Sequence, residues 1–276
     1  MNAPRSALSI RDALYEAPGP RTRRRVLIGT VITGALVLLG IAAVVWRFYV
    51  TGQLAPRYWS LFLQWTTWRF LEQGLLGTIS VALTAGAIAL VLGLLLMLGR
   101  TSGIRPLSAL CRVVTDFFRG VPSLLLIYFF FFVPSQLGLK MPSFWMLTLP
   151  VALAASGVLA EVFRAGVNAV PKGQVEAALS IGLSPAKTMR RIVLPQAVRY
   201  VIPSLIAQLV VVVKDTTVAY VVSFPDLMQN ARVLITSYDA LVSMYLVIAV
   251  IYILINFAIN KAALYVSRKT GAKIIR

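Results

Sequence analysis

The sequence predicts an all-α bundle that crosses a membrane with six helices. Of its 276 residues, 59% are hydrophobic and the mean hydropathy is +0.83, whereas a soluble globular domain has about 45–50% apolar residues. Six stretches approach the roughly 20 apolar residues that a membrane span needs. The basic residues, which give a net charge of +18, collect in alternate connecting segments, as the positive-inside rule requires.

The first predicted span, residues 26–46, follows a polar tail that ends in a basic run at residues 21–25. It is longer than a signal-peptide core, and no small-residue cleavage site follows it. We therefore interpret it as an uncleaved helix with its N-terminus inside. The other predicted spans are residues 75–98, 121–139, 141–160, 201–224 and 240–260.

Residues 47–74 are rich in aromatic side chains, among them Trp59, Trp65 and Trp68. Amphipathic aromatic residues favour the headgroup region, so this stretch predicts an interfacial segment lying along the outer face of the bilayer. An equally good interpretation is a loop whose aromatic side chains pack onto its own helices.

Charge predicts the orientation of the bundle and excludes several functions. With both termini inside, 20 of the 27 Lys and Arg residues lie in inner segments and five in outer segments. The basic charge therefore follows the membrane topology and does not indicate nucleic acid. A single cysteine and the absence of histidine exclude an intramolecular disulfide, a Cys/His metal cluster and a histidine-based triad, so no metal site or catalytic residue is predicted.

The inner loop at residues 164–199 is unusually long and has the pattern of two short helices. Pro171 opens the first, and Gly182 fits the left-handed position that ends it. Pro185 suits the first position of the second helix, which is predicted to end at Leu194, before a proline. Such a loop is either a docking surface for a soluble partner or a hairpin on the membrane surface.

Lys214 and Asp215 interrupt an otherwise apolar span. A charge at the bilayer centre costs about 2.5–3.5 kcal/mol, so it usually faces a cavity or a partner. Adjacent residues of a helix do not face each other, so the two charges point in different directions. With the hydroxyls of Thr216 and Thr217 they could bind the ammonium and carboxylate of an amino acid. The alternative is a structural ion pair that sets the helix register.

Charged residues also lie near the inner ends of the spans. Arg119 and Ser123 are candidates for the same path, although Arg119 could instead extend its guanidinium to water. Glu161 and Arg164, three residues apart, are predicted to form a local salt bridge.

Glu176, Ala177, Ala178, Gly182 and the run at 192–195 have the spacing of the EAA motif, so the chain resembles the permeases of ABC importers. Further segments resemble the polar amino-acid branch of that family, and the tail motif at 15–20 with the extra first helix resembles actinobacterial glutamate-uptake permeases. The similar segments are residues 119–122, 161–166, 170–174, 194–197 and 214–217. Val121 and Thr217 depart from the family, which more often has threonine and serine there.

The resemblance implies a domain organisation and a set of site residues. Residues 75–265 would form a five-helix type I ABC importer core with a coupling loop at about 171–195. They would follow an extra helix and interfacial segment at 26–74, between cytoplasmic tails at 1–25 and 266–276. The implied ATPase contact is Glu176, Ala177, Ala178, Gly182, Ile192, Leu194 and Pro195, and the candidate substrate path is Lys214, Asp215, Thr216, Thr217, Arg119 and Ser123.

The resemblance further implies a non-catalytic permease subunit in a bacterial plasma membrane, importing polar amino acids, with glutamate favoured. Its partners would be an ATPase dimer, a second and different permease chain, an extracellular amino-acid-binding protein and membrane lipids. The chain has no G-x-x-x-x-G-K-[S/T] loop for phosphates, so ATP and Mg²⁺ are expected on the ATPase and no cofactor on this chain.

Two other functions each fit part of the sequence. A secondary transporter or channel would work without an ATPase, but it usually needs inverted repeats and gives no reason for the EAA spacing. A membrane scaffold or sensor would explain a docking loop but not the charges at Lys214 and Asp215.

Overall fold

The computed structural model describes residues 19–269, with side chains as far as residue 266. Most of the motif at 15–20 and most of both predicted tails lie outside the described residues. Every regular element within residues 19–269 is helical. The α-helices are α1 (Pro20–Val50), α2 (Trp65–Arg100), α3 (Arg105–Gly120), α4 (Ser123–Gln136), α5 (Ser143–Asn168), α6 (Lys172–Ser180), α7 (Pro185–Thr188), α8 (Leu194–Asp215), α9 (Leu227–Tyr238) and α10 (Leu241–Lys269).

Among the described residues, helix α1 belongs to one compact unit, which ends at Ala55, and the other helices belong to a second, which begins at Pro56. It has 31 residues, which gives a length of about 46 Å. Pro20 begins it, where the missing amide hydrogen costs nothing. None of its residues is buried, and a helix that is apolar on all sides suits lipid. The first predicted span is confirmed.

The core of the second unit lies between α2 and α5, which form its most extensive helix pair. Both helices meet through small side chains, including Ala82 and Ala85 of α2 and Ala152 and Ala155 of α5. Small residues allow helix backbones to approach closely in a membrane. Helix α5 also packs against α3, α4 and α8, so it is the central helix of this unit.

Five helices are long and apolar enough to cross a membrane, and a bent pair could provide a sixth crossing. The predicted span at 121–139 corresponds to the second arm of this pair, because α4 is bent by 99° from α3. Its 14 residues extend about 21 Å. Pro122 explains the bend, since the residue before a proline is disfavoured in a helix and Val121 is extended.

The inner loop is shorter than predicted, because α5 continues to Asn168. Its first helix ends as predicted, with Gly182 in the left-handed region at φ +83°. The predicted end of the second helix at Leu194 is wrong. A π-helical turn at Met189–Val193 leads directly into α8, whose first turn contains Pro195. A first-turn proline needs no amide hydrogen, and a π turn uses i→i+5 hydrogen bonds, so the helix continues.

The aromatic stretch at 47–74 is divided among three elements. Its beginning belongs to α1, two 3₁₀ turns follow at Pro56–Tyr58 and Ser60–Leu63, and α2 begins at Trp65. The indole of Trp68 donates to the Phe62 carbonyl at 2.7 Å, and their ring centroids are 6.1 Å apart. These contacts favour the second interpretation, in which the aromatic residues pack onto their own segment.

Candidate functional site

The helix type changes where the two charges interrupt the span. Helix α8 ends at Asp215, and a 3₁₀ segment follows at Thr216–Val222. A 3₁₀ helix has three residues per turn, so residues three apart lie on one side. Thr216, Ala219 and Val222 form its buried side.

The opposite side of the chain, where α8 changes to the 3₁₀ segment, is not buried. Lys214 and Tyr220 are exposed and Thr217 is half-buried between them, at the spacing of three that a 3₁₀ helix brings into line. We call Lys214, Thr217 and Tyr220 the open stripe. The cation of Lys214, in the last turn of α8, is therefore followed by a hydroxyl and an aromatic ring along one face of the 3₁₀ segment.

Lys214 and Asp215 point in different directions, as predicted for adjacent residues. The Asp215 carboxylate lies near the hydroxyl of Ser123 and interacts with it; Ser123 is the first residue of α4. None of the ion pairs among residues 19–266 includes Lys214. The structure therefore brings the candidates Ser123 and Asp215 together and leaves the Lys214 ammonium open.

The two threonines next to these charges already use their hydroxyl protons. Thr216 donates to the Val213 carbonyl at 2.9 Å, and Thr217 donates to the Lys214 carbonyl at 2.7 Å. A hydroxyl oxygen keeps its acceptor capacity after its proton is used. The partly exposed Thr217 oxygen can therefore accept a hydrogen bond from an ammonium group, whereas the Thr216 oxygen is buried.

Arg119 has its partners in an ionic network toward the C-terminal ends of α2, α3 and α5. Its guanidinium lies 3.5 Å from Glu161 and 3.7 Å from Asp116. The Glu161 carboxylate also accepts from Arg100 and, at 2.8 Å, from Arg164. The predicted Glu161–Arg164 salt bridge is confirmed. Asp116 and Arg100 were not predicted from the sequence, although Asp116 stands three residues before Arg119, the spacing of a helical ion pair.

A cluster of buried polar side chains lies next to the buried side of the 3₁₀ segment. Asp226 is 0% exposed, and its Oδ1 accepts from the Gln229 amide at 2.7 Å. The hydroxyl of Thr78 accepts from the Leu227 amide at 3.1 Å. The Tyr252 hydroxyl faces those of Thr78 and Thr216 without a well-formed hydrogen bond to either. This cluster was also missed, although polar side chains within apolar helices were the signal for it.

The loop between α6 and α7 is a structured turn that exposes much of the EAA motif. The Leu183 amide donates to the Ala178 carbonyl at 3.1 Å and the Gly182 amide to the Leu179 carbonyl at 2.9 Å, which is a Schellman motif. Glu176, Ala177, Gly182 and Pro195 are exposed, Ile192 and Leu194 are half-buried, and Ala178 is 4% exposed.

Ile181 of the same turn is 79% exposed and was not among the predicted residues. Behind the turn, Val170, Val193 and Ala197 form a small core of their own. Ala178 is too buried to provide direct contact surface, so its small size serves packing within the loop. The turn therefore presents an apolar tip supported by its own core, which is a property of protein-contact surfaces.

The family that these features indicate is matched directly. A family model described as "Binding-protein-dependent transport system inner membrane component" matches residues 89–271, which is more than half of the chain. This chain belongs to that family. The all-helical membrane fold, with five to six candidate spans, and the resemblance to ABC importer permeases are therefore confirmed.

Curated relatives give the permease its broader activity. It is 32% identical over 225 residues to the glutamate transport system permease protein GluD of Corynebacterium glutamicum, covering 80% of this chain and 82% of that protein. It is 33% identical over 197 residues to the probable glutamine ABC transporter permease protein GlnP of Bacillus subtilis, covering 70% of this chain and 90% of that protein. The chain is a membrane-spanning permease component of an amino-acid ABC importer.

Solved structures agree with this fold. The crystal structure of an amino acid ABC transporter with histidines matches with a TM-score of 0.69 and 28% identity, covering 73% of this chain and 94% of that chain. An inward-facing MetNI methionine ABC transporter matches with a TM-score of 0.64. At 17% identity, the second likeness concerns the fold alone.

Proposed function

We propose that this permease imports glutamate, with Lys214 binding a carboxylate of the substrate as it passes. The observation that carries the proposal is the unpaired Lys214 ammonium at the break in α8. A cation in a membrane span normally has a partner or faces a cavity, and no acidic side chain of the described residues pairs with it. A structural Lys214–Asp215 ion pair is disfavoured because none of the ion pairs among residues 19–266 joins the two, and Asp215 lies near Ser123 instead.

The chemistry of the open stripe suits an amino acid. Lys214 can hold a carboxylate, and the Thr217 oxygen can accept from the substrate ammonium. The partly buried Asp215 adds a negative charge beside them. Similarity to a glutamate permease supports the substrate, and similarity to glutamine permeases makes glutamine the competing substrate.

The proposed assembly contains an ATPase dimer, a second permease chain and an extracellular amino-acid-binding protein. ATP and Mg²⁺ would be held by the ATPase, and this chain would remain non-catalytic. The exposed tip formed by Glu176, Ala177, Ile181 and Gly182 would contact the ATPase, with Ala178 packed behind it. In this orientation the tip and both termini lie in the cytoplasm, and the membrane is the bacterial plasma membrane.

The test is the uptake of labelled glutamate, glutamine, arginine and histidine by cells that lack this gene and receive wild type or Lys214→Ala. Hydrogen bonds to charged groups contribute about 1.5–3 kcal/mol, so we expect Lys214→Ala to lower glutamate uptake at least tenfold at equal membrane levels. Lys140→Ala removes an exposed lysine between α4 and α5 and should leave uptake unchanged.

Co-purification with the ATPase shows whether each variant assembles. Normal glutamate uptake by an assembled Lys214→Ala complex contradicts the role of Lys214. Uptake of glutamine but not glutamate by wild type contradicts the substrate and leaves the amino-acid importer in place.

A further inference from the structure

A second polar surface continues the open stripe toward the end of the 3₁₀ segment. A cavity of about 450 Å³ lies between this segment and α9, within the range of about 300–1,000 Å³ that small-molecule sites occupy. Its lining contains one cation and no acidic side chain: Tyr220, Gln229, Arg232, Val233, Thr236 and Ser237.

Arg232 is held at this cavity by the last residue of the open stripe. Its guanidinium carbon lies 4.2 Å from the centroid of the Tyr220 ring, which is a cation–π contact. None of the ion pairs within residues 19–266 includes Arg232. A guanidinium resting on a ring keeps its edge free, and that edge can bind a carboxylate with two parallel hydrogen bonds.

The helix that carries Arg232 is firmly anchored. The Asn230 side chain, which is buried, donates to the Phe70 carbonyl of α2 at 2.7 Å. The Leu227 amide donates to the hydroxyl of Thr78, which also belongs to α2. Arg232 therefore projects from a fixed platform, which is what a binding site requires of its supporting elements.

A second large cavity offers none of this chemistry. It has a similar volume of about 440 Å³ and lies among α2, α8 and α10, but its walls are almost entirely aliphatic. A charged ligand would lose its hydration there without gaining a partner. Of these two cavities, the one beside Arg232 is the one that suits an anion.

We propose that Arg232 and its cavity form an entry site that binds the carboxylate of the amino-acid substrate before Lys214 receives it. This inference rests on the proposed import of glutamate and extends it to a second position. Lys214 and Tyr220 are six residues apart, which separates their backbones by roughly 11 Å at the rises of an α-helix up to Asp215 and of a 3₁₀ helix beyond it. Lys214 and the cavity beside Arg232 therefore occupy successive positions along this face, with Thr217 between them.

The experiment measures transport by the reconstituted complex at saturating binding protein, with labelled glutamate and labelled glutamine. The variants are Arg232→Gln, which removes the charge, and Arg232→Lys, which keeps the charge but loses the paired hydrogen bonds. Arg57→Gln is the matched control, because Arg57 also rests on a ring, that of Tyr58 at 4.5 Å, and does not line the cavity.

We expect Arg232→Gln to lower the glutamate rate about tenfold, Arg232→Lys to recover part of it, and Arg57→Gln to match wild type. The glutamine rate should fall less, because glutamine carries one carboxylate fewer. The loss should be accompanied by a weaker dependence of the glutamate rate on ionic strength, since salt screens the attraction between the free charges.

Three results overturn this inference. The first is an unchanged glutamate rate in Arg232→Gln, and the second is an equal loss in Arg232→Gln and Arg232→Lys, which indicates a structural role. The third is a weaker affinity of the complex for the loaded binding protein with an unchanged preference for glutamate, which indicates a docking contact. If Lys214→Ala loses transport while Arg232→Gln keeps it, only the entry site fails. If wild type imports no glutamate, the proposed function fails first.

Discussion

The two oxygens of the Asp226 carboxylate have different surroundings. Its Oδ1 caps the N-terminus of α9, a position where an acceptor for the free amides is favourable. Its Oδ2 is buried and has no hydrogen-bond partner within the described residues. Burial raises its pKa to about 6, against the opposing effect of the backbone amides of Gln229 and Met228.

This pKa predicts how stability depends on pH. The ordinary value is 3.8, so between about pH 4 and 6 the folded protein holds a proton that the unfolded chain has released. Stability therefore falls as pH rises through this window and then levels off. One pKa unit corresponds to about 1.4 kcal/mol, so the full change corresponds to about 3 kcal/mol. Asp226→Asn keeps the capping oxygen and should flatten this dependence.

The measurement is the apparent melting temperature of the purified protein in detergent from pH 4.5 to 7.5. Asp239→Asn, which changes an exposed carboxylate just after α9, is the control and should retain the wild-type pH dependence. Equal pH dependence in wild type and Asp226→Asn would show that Asp226 does not titrate in this window.

At the scale of elements, the turn between α6 and α7 should depend on the backbone of Gly182. A Cβ at Gly182 would meet nothing within 4 Å, so the cost of an alanine is the left-handed conformation alone, about 1–2 kcal/mol. Gly173 of α6 is also open to a Cβ, without a left-handed backbone. Because alanine favours helix, Gly173→Ala should leave the turn intact.

We therefore expect Gly182→Ala to lower uptake several-fold and Gly173→Ala to retain it, at equal membrane levels and with ATPase co-purification as a second readout. The comparison distinguishes the effect of the strained backbone at Gly182 from the effect of adding a methyl group to the loop. Equal activity of the two variants would mean that the left-handed position is not required for coupling to the ATPase.

The same loop shows what could be predicted from sequence and why the rest could not. Gly182 and Pro185 act through their own backbone preferences, so their places in the turn were predicted correctly. The continuation through Pro195 depends on a π turn that absorbs the missing hydrogen bond, and local preference alone favours a stop there. The Arg100–Glu161 contact joins residues 61 apart, so it follows from the packing of α2 on α5 and has no local signal.

At the scale of the whole molecule, the bent helix pair α3 and α4 decides the membrane topology of the bundle. If α4 crosses the membrane, its end lies outside and the turn at Gly182 lies inside. If instead α3 and α4 enter and leave on the same face, as their 99° bend allows, α5 crosses in the opposite direction. The end of α4 would then lie inside and the turn outside, so the turn could not meet a cytoplasmic ATPase.

The single cysteine of the sequence, Cys111, makes this testable. In a Cys111→Ala background, Ser135→Cys places a thiol in the exposed last turn of α4, and Ser180→Cys places one at the exposed end of α6. We expect a membrane-impermeant maleimide to label Ser135→Cys in intact cells and Ser180→Cys only after permeabilisation. Twenty of the 27 basic residues lie on the predicted inner side, and this bias favours that orientation.

The background variant Cys111→Ala should give no labelling and should support uptake, since both are needed to interpret the single cysteines. Labelling of both positions from the same side would show that α5 does not separate them as a full crossing. Labelling of Ser180→Cys in intact cells would place the turn outside, where no ATPase could bind it. That result would remove the coupling role from the EAA segment, because a contact with a cytoplasmic ATPase requires that the turn face the cytoplasm.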